Sequence, residues 1–194
     1  MVDPPKRAQL LRYLIKEGAW PRVLVFASTK YGTELVAHKL QRAGIDAAAF
    51  HGALSQGARR EVMDAFKDSR LQVLVATDVA ARGIDIKDLP VVVNFDLPRS
   101  PADYIHRIGR TGRAGASGLA VSFVSANTEA HFRLVEKRQG QRVPREQIAG
   151  FEPEEAPIAE DAEPRGPVGL DPNGGVKGHR KSKKDKLREA AARS

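Results

Sequence analysis

The sequence predicts an α/β domain built on a doubly wound, mostly parallel β-sheet flanked by helices, followed by a tail of different character. Three observations lead there. Short β-branched runs alternate with helical patterns between residues 20 and 125. The runs are almost continuously apolar over four or five residues, as strands covered on both faces of a parallel sheet must be. The chain has 194 residues, 41% hydrophobic and 29% charged, enough to bury one substantial core.

The elements follow in order. Residues 5–17 place Leu10, Leu11, Leu14 and Ile15 at helical spacing, a helix expected to pack on the sheet. Residues 22–27 (RVLVFA) read as the first strand. A helix over 31–43 sets Leu35, Val36, Lys39 and Leu40 at helical spacing, and residues 46–50 read as the second strand. The helix over 55–68 opens on a serine suited to an N-cap and should bury Val62, Met63 and Phe66. Residues 71–76 (LQVLVA) and 91–95 (VVVNF) are the next two strands. The helix over 100–108 begins Ser-Pro, a cap followed by proline at the first helical position. A strand over 118–124 and a helix over 127–138 complete the set. Right-handed crossovers then fix most of the topology.

Composition excludes several classes. With no cysteine there is no disulfide scaffold, thiolate zinc site or cysteine nucleophile. Apolar runs such as 23–27 and 89–93 are far too short to cross a bilayer, and the amino terminus lacks the apolar stretch of a signal peptide. A cytoplasmic protein with no membrane partner is expected. The formal charge of +8 is unevenly placed: residues 151–176 carry seven acids against Arg165, and residues 177–194 carry eight Lys or Arg against Asp185 and Glu189. These segments cancel, so residues 1–150 hold the whole excess, which suits a polyanionic partner. Residues 1–150 are therefore read as the folded domain, 151–176 as a flexible acidic Pro/Gly-rich linker and 177–194 as a basic tail. The tail is either a solvated segment or an extra phosphate-binding arm. Met1 is expected to open an excised part of a longer chain.

In a parallel α/β sheet, ligands sit beyond the carboxyl ends of the strands. Unusual residues gather there and on the helices that follow: Ser28, Thr29 and Lys30 after the first strand; His51 and Gly52 after the second, with Gln56 and Arg59 one helical turn apart; Thr77 and Asp78 after the third, leading into Arg82, Gly83 and Asp85. Hydroxyls, a glycine amide, helix N-termini and arginine can all hold phosphates without reading base identity. The fourth cluster is His106-Arg107-Ile108-Gly109-Arg110-Thr111-Gly112-Arg113. On a helix, His106, Arg110 and Arg113 would share one face. Three arginines and a histidine so close together repel one another. A shared anion would compensate them, and the planar fork of arginine suits a γ-phosphate.

The segments VLVFAST (23–29), FHGALSQGARREVMDAF (50–66), VLVATDVAARGIDI (73–86) and YIHRIGRTGRAG (104–115) resemble, in type, order and spacing, the later motifs of DEAD-box RNA helicases. The chain is also similar to the bacterial RhlE-like subgroup, including the segment Gly150-Phe151-Glu152-Pro153. The resemblance implies a RecA-like fold and an ATP-dependent helicase activity. It implies that Arg113 is the arginine finger on the γ-phosphate, that Arg110 contacts the same region, that Gly83 also belongs to the ATP site, and that Asp85 binds the nucleotide ribose. Ser28, Thr29, Gly52, Arg59 and Thr77 would grip the RNA backbone, with Gln56 supporting Arg59. Arg82 would lie between the two sites, and His106 would couple them to the other domain. Ile84 stands where the family more often has leucine.

The chain lacks a G-x-x-x-x-G-K-S/T phosphate loop; Gly174-Gly175-Val176-Lys177 has neither the spacing nor the following hydroxyl. It also lacks an Asp-Glu-Ala-Asp motif to hold magnesium. The resemblance therefore implies the second, C-terminal domain of such a helicase, inactive alone. ATP with Mg2+ would be bound mainly by the N-terminal RecA-like domain, and RNA would bridge both. A stand-alone RNA-binding module or a protein-docking domain are the rival readings. Phosphate contacts alone also leave DNA open as the polyanion.

Overall fold

In the computed structural model of the chain, which describes residues 1–82, 86, 88–112 and 118–154, five parallel strands form one sheet. They are β1 (Val23–Phe26), β2 (Ala47–Phe50), β3 (Val73–Ala76), β4 (Val91–Asn94) and β5 (Leu119–Ser122), in the order β2-β3-β1-β4-β5. The helices are α1 (Arg7–Glu17), α2 (Lys30–Gln41), α3 (Gln56–Lys67), α4 (Asp78–Ala81), α5 (Pro101–Ile108) and α6 (Ala126–Gln139). The expected doubly wound parallel sheet is what forms.

Alternation along each strand fills both faces. Val23 and Val25 of β1 join Leu10, Leu11 and Ile15 of α1 and Val36, Ala37 and Leu40 of α2 in one core. Leu24 and Phe26 point the other way, into a core with Phe66 of α3 and Ala80 and Ala81 of α4. Tyr104 of α5, Phe132 and Val135 of α6 and Val124 make a third cluster. Val62 and Met63, expected inside, are half-buried at the margin of the second core. The expected first helix splits: a short 3-10 turn, Pro4–Lys6, precedes α1, because proline offers no amide proton to an α-helical ladder. Ser55 and Ser100 cap α3 and α5, accepting from Ala58 N at 3.2 Å and Asp103 N at 3.1 Å.

After α6 the chain turns back. Arg145 donates to Glu136 (2.8 Å to each oxygen) and to Glu129, while its guanidinium lies 4.7 Å from the Phe132 ring centroid. Phe151 packs its ring on Tyr13, 5.6 Å between centroids, and Lys6 pairs with Glu154 at 3.0 Å. Of the acidic stretch that starts at residue 151, residues 155–176 lie outside the described residues, as does the basic tail 177–194. The described residues all belong to one unit spanning Met1–Pro157. Among them no helix is long and apolar enough to cross a membrane.

Candidate functional site

The strands end level. Phe26 stands opposite both Ala76 and Asn94, and Phe50 opposite Ala76, so the loops after β2, β3 and β1 emerge side by side. That register brings together Gly52, Thr77, Ser28 and Thr29, from segments far apart in sequence. Thr29 caps α2 by accepting from Gly32 N at 2.9 Å, and Thr77 caps α4 by accepting from Ala80 N at 3.5 Å. A capping hydroxyl uses a lone pair for the helix and keeps its proton to donate, for instance to a phosphate oxygen. The Ser28 amide donates to Asp96 Oδ2 at 2.9 Å, and the residue is exposed. Asp96 is itself held by Arg7, whose Nη1 donates to Oδ1 at 3.0 Å. Burial pulls the Arg7 pKa down, with Asp96 opposing it.

Space beside Gly52 is open: a Cβ built there meets nothing within 4 Å. Packing does not demand glycine at this point, and its backbone is approachable. Gln56 is exposed at the first position of α3. The half-buried Arg59 places its guanidinium 5.2 Å from the Phe50 ring centroid. The neighbour seen to fix Arg59 is this ring.

The fourth cluster differs from the expectation of a continuous helix. The helix α5 stops at Ile108 with Gly109 as its C-cap, so Arg110 sits in the following turn and does not continue the face of His106. The chain bends because Thr111 is tied to β4's approach: its hydroxyl donates to Leu89 O, and Leu89 N donates to Arg110 O at 3.1 Å. Gly112 has φ +66°, a conformation that favours glycine. Gly118 must be glycine for space, since a Cβ there would collide with Thr111 Oγ1 and the backbone of Gly112. Arg110 borders a shallow depression walled by Leu24, Ala81 and Ile86. His106 is exposed on α5. Gly83, Asp85 and Arg113 lie outside the described residues.

Charge repulsion in this cluster is also relieved differently for one member. Arg107 is 2% exposed. Its Nε and Nη2 donate to the two carboxylate oxygens of Asp78 at 2.7 Å each, and Nη1 donates to Asn94 Oδ1 at 2.9 Å and to Asp96 O at 2.6 Å. The guanidinium also stacks over Phe26, 4.8 Å from the centroid. Arg107 therefore belongs to the fold, with Asp78 as its counter-ion, and its interior position is the feature the sequence pattern did not disclose. Arg82, 67% exposed at its side chain, donates to Asp103 Oδ1 at 3.0 Å and so links the end of α4 to α5. A hydrogen bond from the Ser100 hydroxyl, then that from Arg82, hold the Asp103 carboxyl below its usual range.

Comparisons place these residues among known proteins. The family described as "Helicase conserved C-terminal domain" matches residues 5–115. The ATP-dependent RNA helicase RhlB of Pseudomonas syringae is 41% identical over 135 residues, covering 70% of this chain and 34% of that protein. DEAD-box ATP-dependent RNA helicase 46 of Arabidopsis thaliana is 47% identical over 126 residues, covering 65% of this chain and 19% of that protein. The chain thus spans about a third and a fifth of their lengths. Among solved structures, the E. coli DEAD-box protein SrmB bound to regulator of ribonuclease activity A superposes with a TM-score of 0.76 at 38% identity, over 82% of this chain and 94% of that chain. An S. cerevisiae Dbp5 variant bound to RNA and ADP BeF3 superposes with a TM-score of 0.67 at 35% identity, over 73% of this chain and 38% of that chain.

Proposed function

The chain belongs to the helicase C-terminal domain family, as the RecA-like C-terminal domain of a DEAD-box RNA helicase, and from that premise we propose that it works as half of an ATP-dependent RNA-unwinding enzyme. The observation that carries this reading is the row of adjacent loops after β2, β3 and β1, which gathers Gly52, Thr77, Ser28 and Thr29 at one edge of the sheet. Ser28, Thr29, Gly52, Gln56, Arg59, Thr77 and Arg82 hold the RNA backbone, the hydroxyls and the open Gly52 backbone donating to phosphates and the arginines neutralising them. His106, exposed on α5, meets the N-terminal domain and couples the two sites.

Toward the nucleotide, Arg110 stands beside Leu24, Ala81 and Ile86 and would bring a cation to a phosphate. Among the described residues no group of three or more His, Asp or Glu is placed to hold a metal ion. The N-terminal domain would hold Mg2+, as the resemblance to DEAD-box helicases implies. ATP supplies the γ-phosphoryl group and the free-energy drop of its hydrolysis. Arg110 and Arg113 stabilise the charge that develops during the transfer, a contribution of about 10³–10⁵-fold in rate for an arginine finger. Gly83 and Asp85 bind the nucleotide, Asp85 at its ribose. Domain closure bends one RNA strand, and loss of the γ-phosphate contacts reopens the domains. The RhlE-like assignment rests on the similarity of the chain as a whole, the Gly150–Pro153 segment included, and a cytoplasmic setting is part of the same proposal.

The test is RNA-stimulated ATP hydrolysis by this chain alone and by the chain joined to a DEAD-box N-terminal domain. Silence alone, turnover when joined, and a fall of about 10³-fold or more with Arg113→Ala in the joined protein are expected. Undiminished turnover by Arg113→Ala, or turnover by the chain alone, overturns the reading. Silence of both favours an RNA-binding module without an ATP role.

A further inference from the structure

His51, next to the open Gly52, is 3% exposed. It follows β2 directly, and its ring has two distinct neighbours. Nδ1 accepts from Ala53 N at 3.3 Å, and Leu54 N donates to His51 O at 3.2 Å, so the ring and its own backbone shape the turn that presents Gly52. An Nδ1 that accepts carries no proton, so the N–H of the ring is on Nε2. Nε2 lies 3.0 Å from Glu34 Oε1, within ion-pair distance though off the line of a hydrogen bond. Glu34 belongs to α2, the helix capped by Thr29. One buried ring therefore touches both the loop after β2 and the helix that starts after β1, which packs against β2.

We propose that His51 is a positioning residue that locks the Gly52 turn to α2, so that Gly52 and Thr29 grip the RNA backbone as one unit. The proposal rests on the RNA-gripping role given to these loops above. The chemistry favours a coupler over mere filling. An apolar side chain would fill the space without a desolvated ring nitrogen, whereas imidazole brings an acceptor to Ala53 N at one end and a nitrogen within 3.0 Å of the Glu34 carboxylate at the other. Glu34 is 59% exposed at its side chain, so it has no need of His51 for its own solvation. Its position at the ring is what closes the link.

The two halves of the link separate by substitution. His51→Asn keeps an acceptor for Ala53 N, since asparagine favours this local turn, but is too short to reach Glu34. Glu34→Gln removes the charge at the far end. Binding of a fluorescein-labelled ten-nucleotide oligouridylate to this chain at low salt is followed by anisotropy, with melting temperature measured in parallel and Arg59→Ala as control. His51→Asn and Glu34→Gln are each expected to weaken binding roughly threefold to tenfold, the scale of coupling between contacting residues. The two together should be no worse than His51→Asn alone, because each breaks the same link. A merely structural histidine would change the melting temperature and leave that non-additivity absent. Unchanged affinity in both variants while Arg59→Ala weakens binding overturns the positioning role and leaves the RNA reading standing. Unchanged affinity in all three overturns both. Should His51→Asn fail to fold, Glu34→Gln decides alone, being a change on an exposed side chain: full affinity then rejects the proposal.

Discussion

Arg107→Ala should be among the most damaging single changes in the chain, and its cost can be assembled from its contacts. Truncation leaves Asn94 Oδ1 and Asp96 O without their donor, at about 1–3 kcal/mol for each buried acceptor left unmade. It removes the guanidinium stacked on Phe26, worth about 0.5–2 kcal/mol. It also strands Asp78. That carboxylate is 31% exposed at its side chain and can regain water, which moderates the loss. The sum is held near the cost of breaking a buried ion pair, about 3–5 kcal/mol, a large share of the roughly 5–15 kcal/mol that stabilises a domain. Arg107→Lys keeps the charge but not the fork, and should lose about half as much. Urea unfolding of this chain followed by circular dichroism reads the effect as a lower midpoint at constant slope. Arg82→Ala is the internal control, since its exposed pair with Asp103 should contribute no more than about 0.2–1 kcal/mol. The reasoning fails if Arg107→Ala unfolds within about 1 kcal/mol of the parent, or if Arg82→Ala costs as much.

Two further outcomes follow from the packing after α6 and around the Thr111 turn. Arg145 first, and the Val143 amide, pull the buried Glu136 carboxyl from 4.5 down to about 2. A depressed carboxyl stabilises the fold fully above its unfolded value and less as pH falls from about 4.5 toward 2, an effect of about 1–3 kcal/mol. Glu136→Gln should lack that part of the acid limb in pH-dependent urea unfolding; parallel acid limbs for parent and variant would contradict it. Gly118→Ala forces a methyl against Thr111 and Gly112, so a loss of about 1–3 kcal/mol, or about 2–12 °C in melting temperature, is expected in calorimetry. An unchanged melting temperature would show that the turn yields freely.

The strands were legible because a strand covered on both faces of a sheet is apolar at consecutive positions, as VLVF, VLVA and the VVV that opens β4 are, the buried Asn94 being the exception. Helix starts were legible at Ser55 and Ser100, where a short hydroxyl side chain advertises its own hydrogen bond. The helix α4 was not, since four residues make barely one turn and show no period. Arg107 was opaque for a different reason: its burial depends on Asp78, Asn94 and Asp96, whose approach is a product of the sheet order and has no local signature. The end of α5 was more accessible, because Gly109 is a common stop, but the four-residue spacing of the cations suggested continuity across it. Phe151, amid prolines and acids, gave no hint that Tyr13 would receive it.

The level ends of the strands have a metric consequence. Neighbouring strands lie about 4.8 Å apart, so the loops after β2 and β1, two strands apart, are separated by about 10 Å. That interval is fixed by backbone hydrogen bonding and by no side chain or loop. Under the proposed function, the edge would serve as a graduated scale for a polymer of repeating charge. Lengthening a single loop would loosen one mark without moving the others. The scale itself would change only if the strands were reordered.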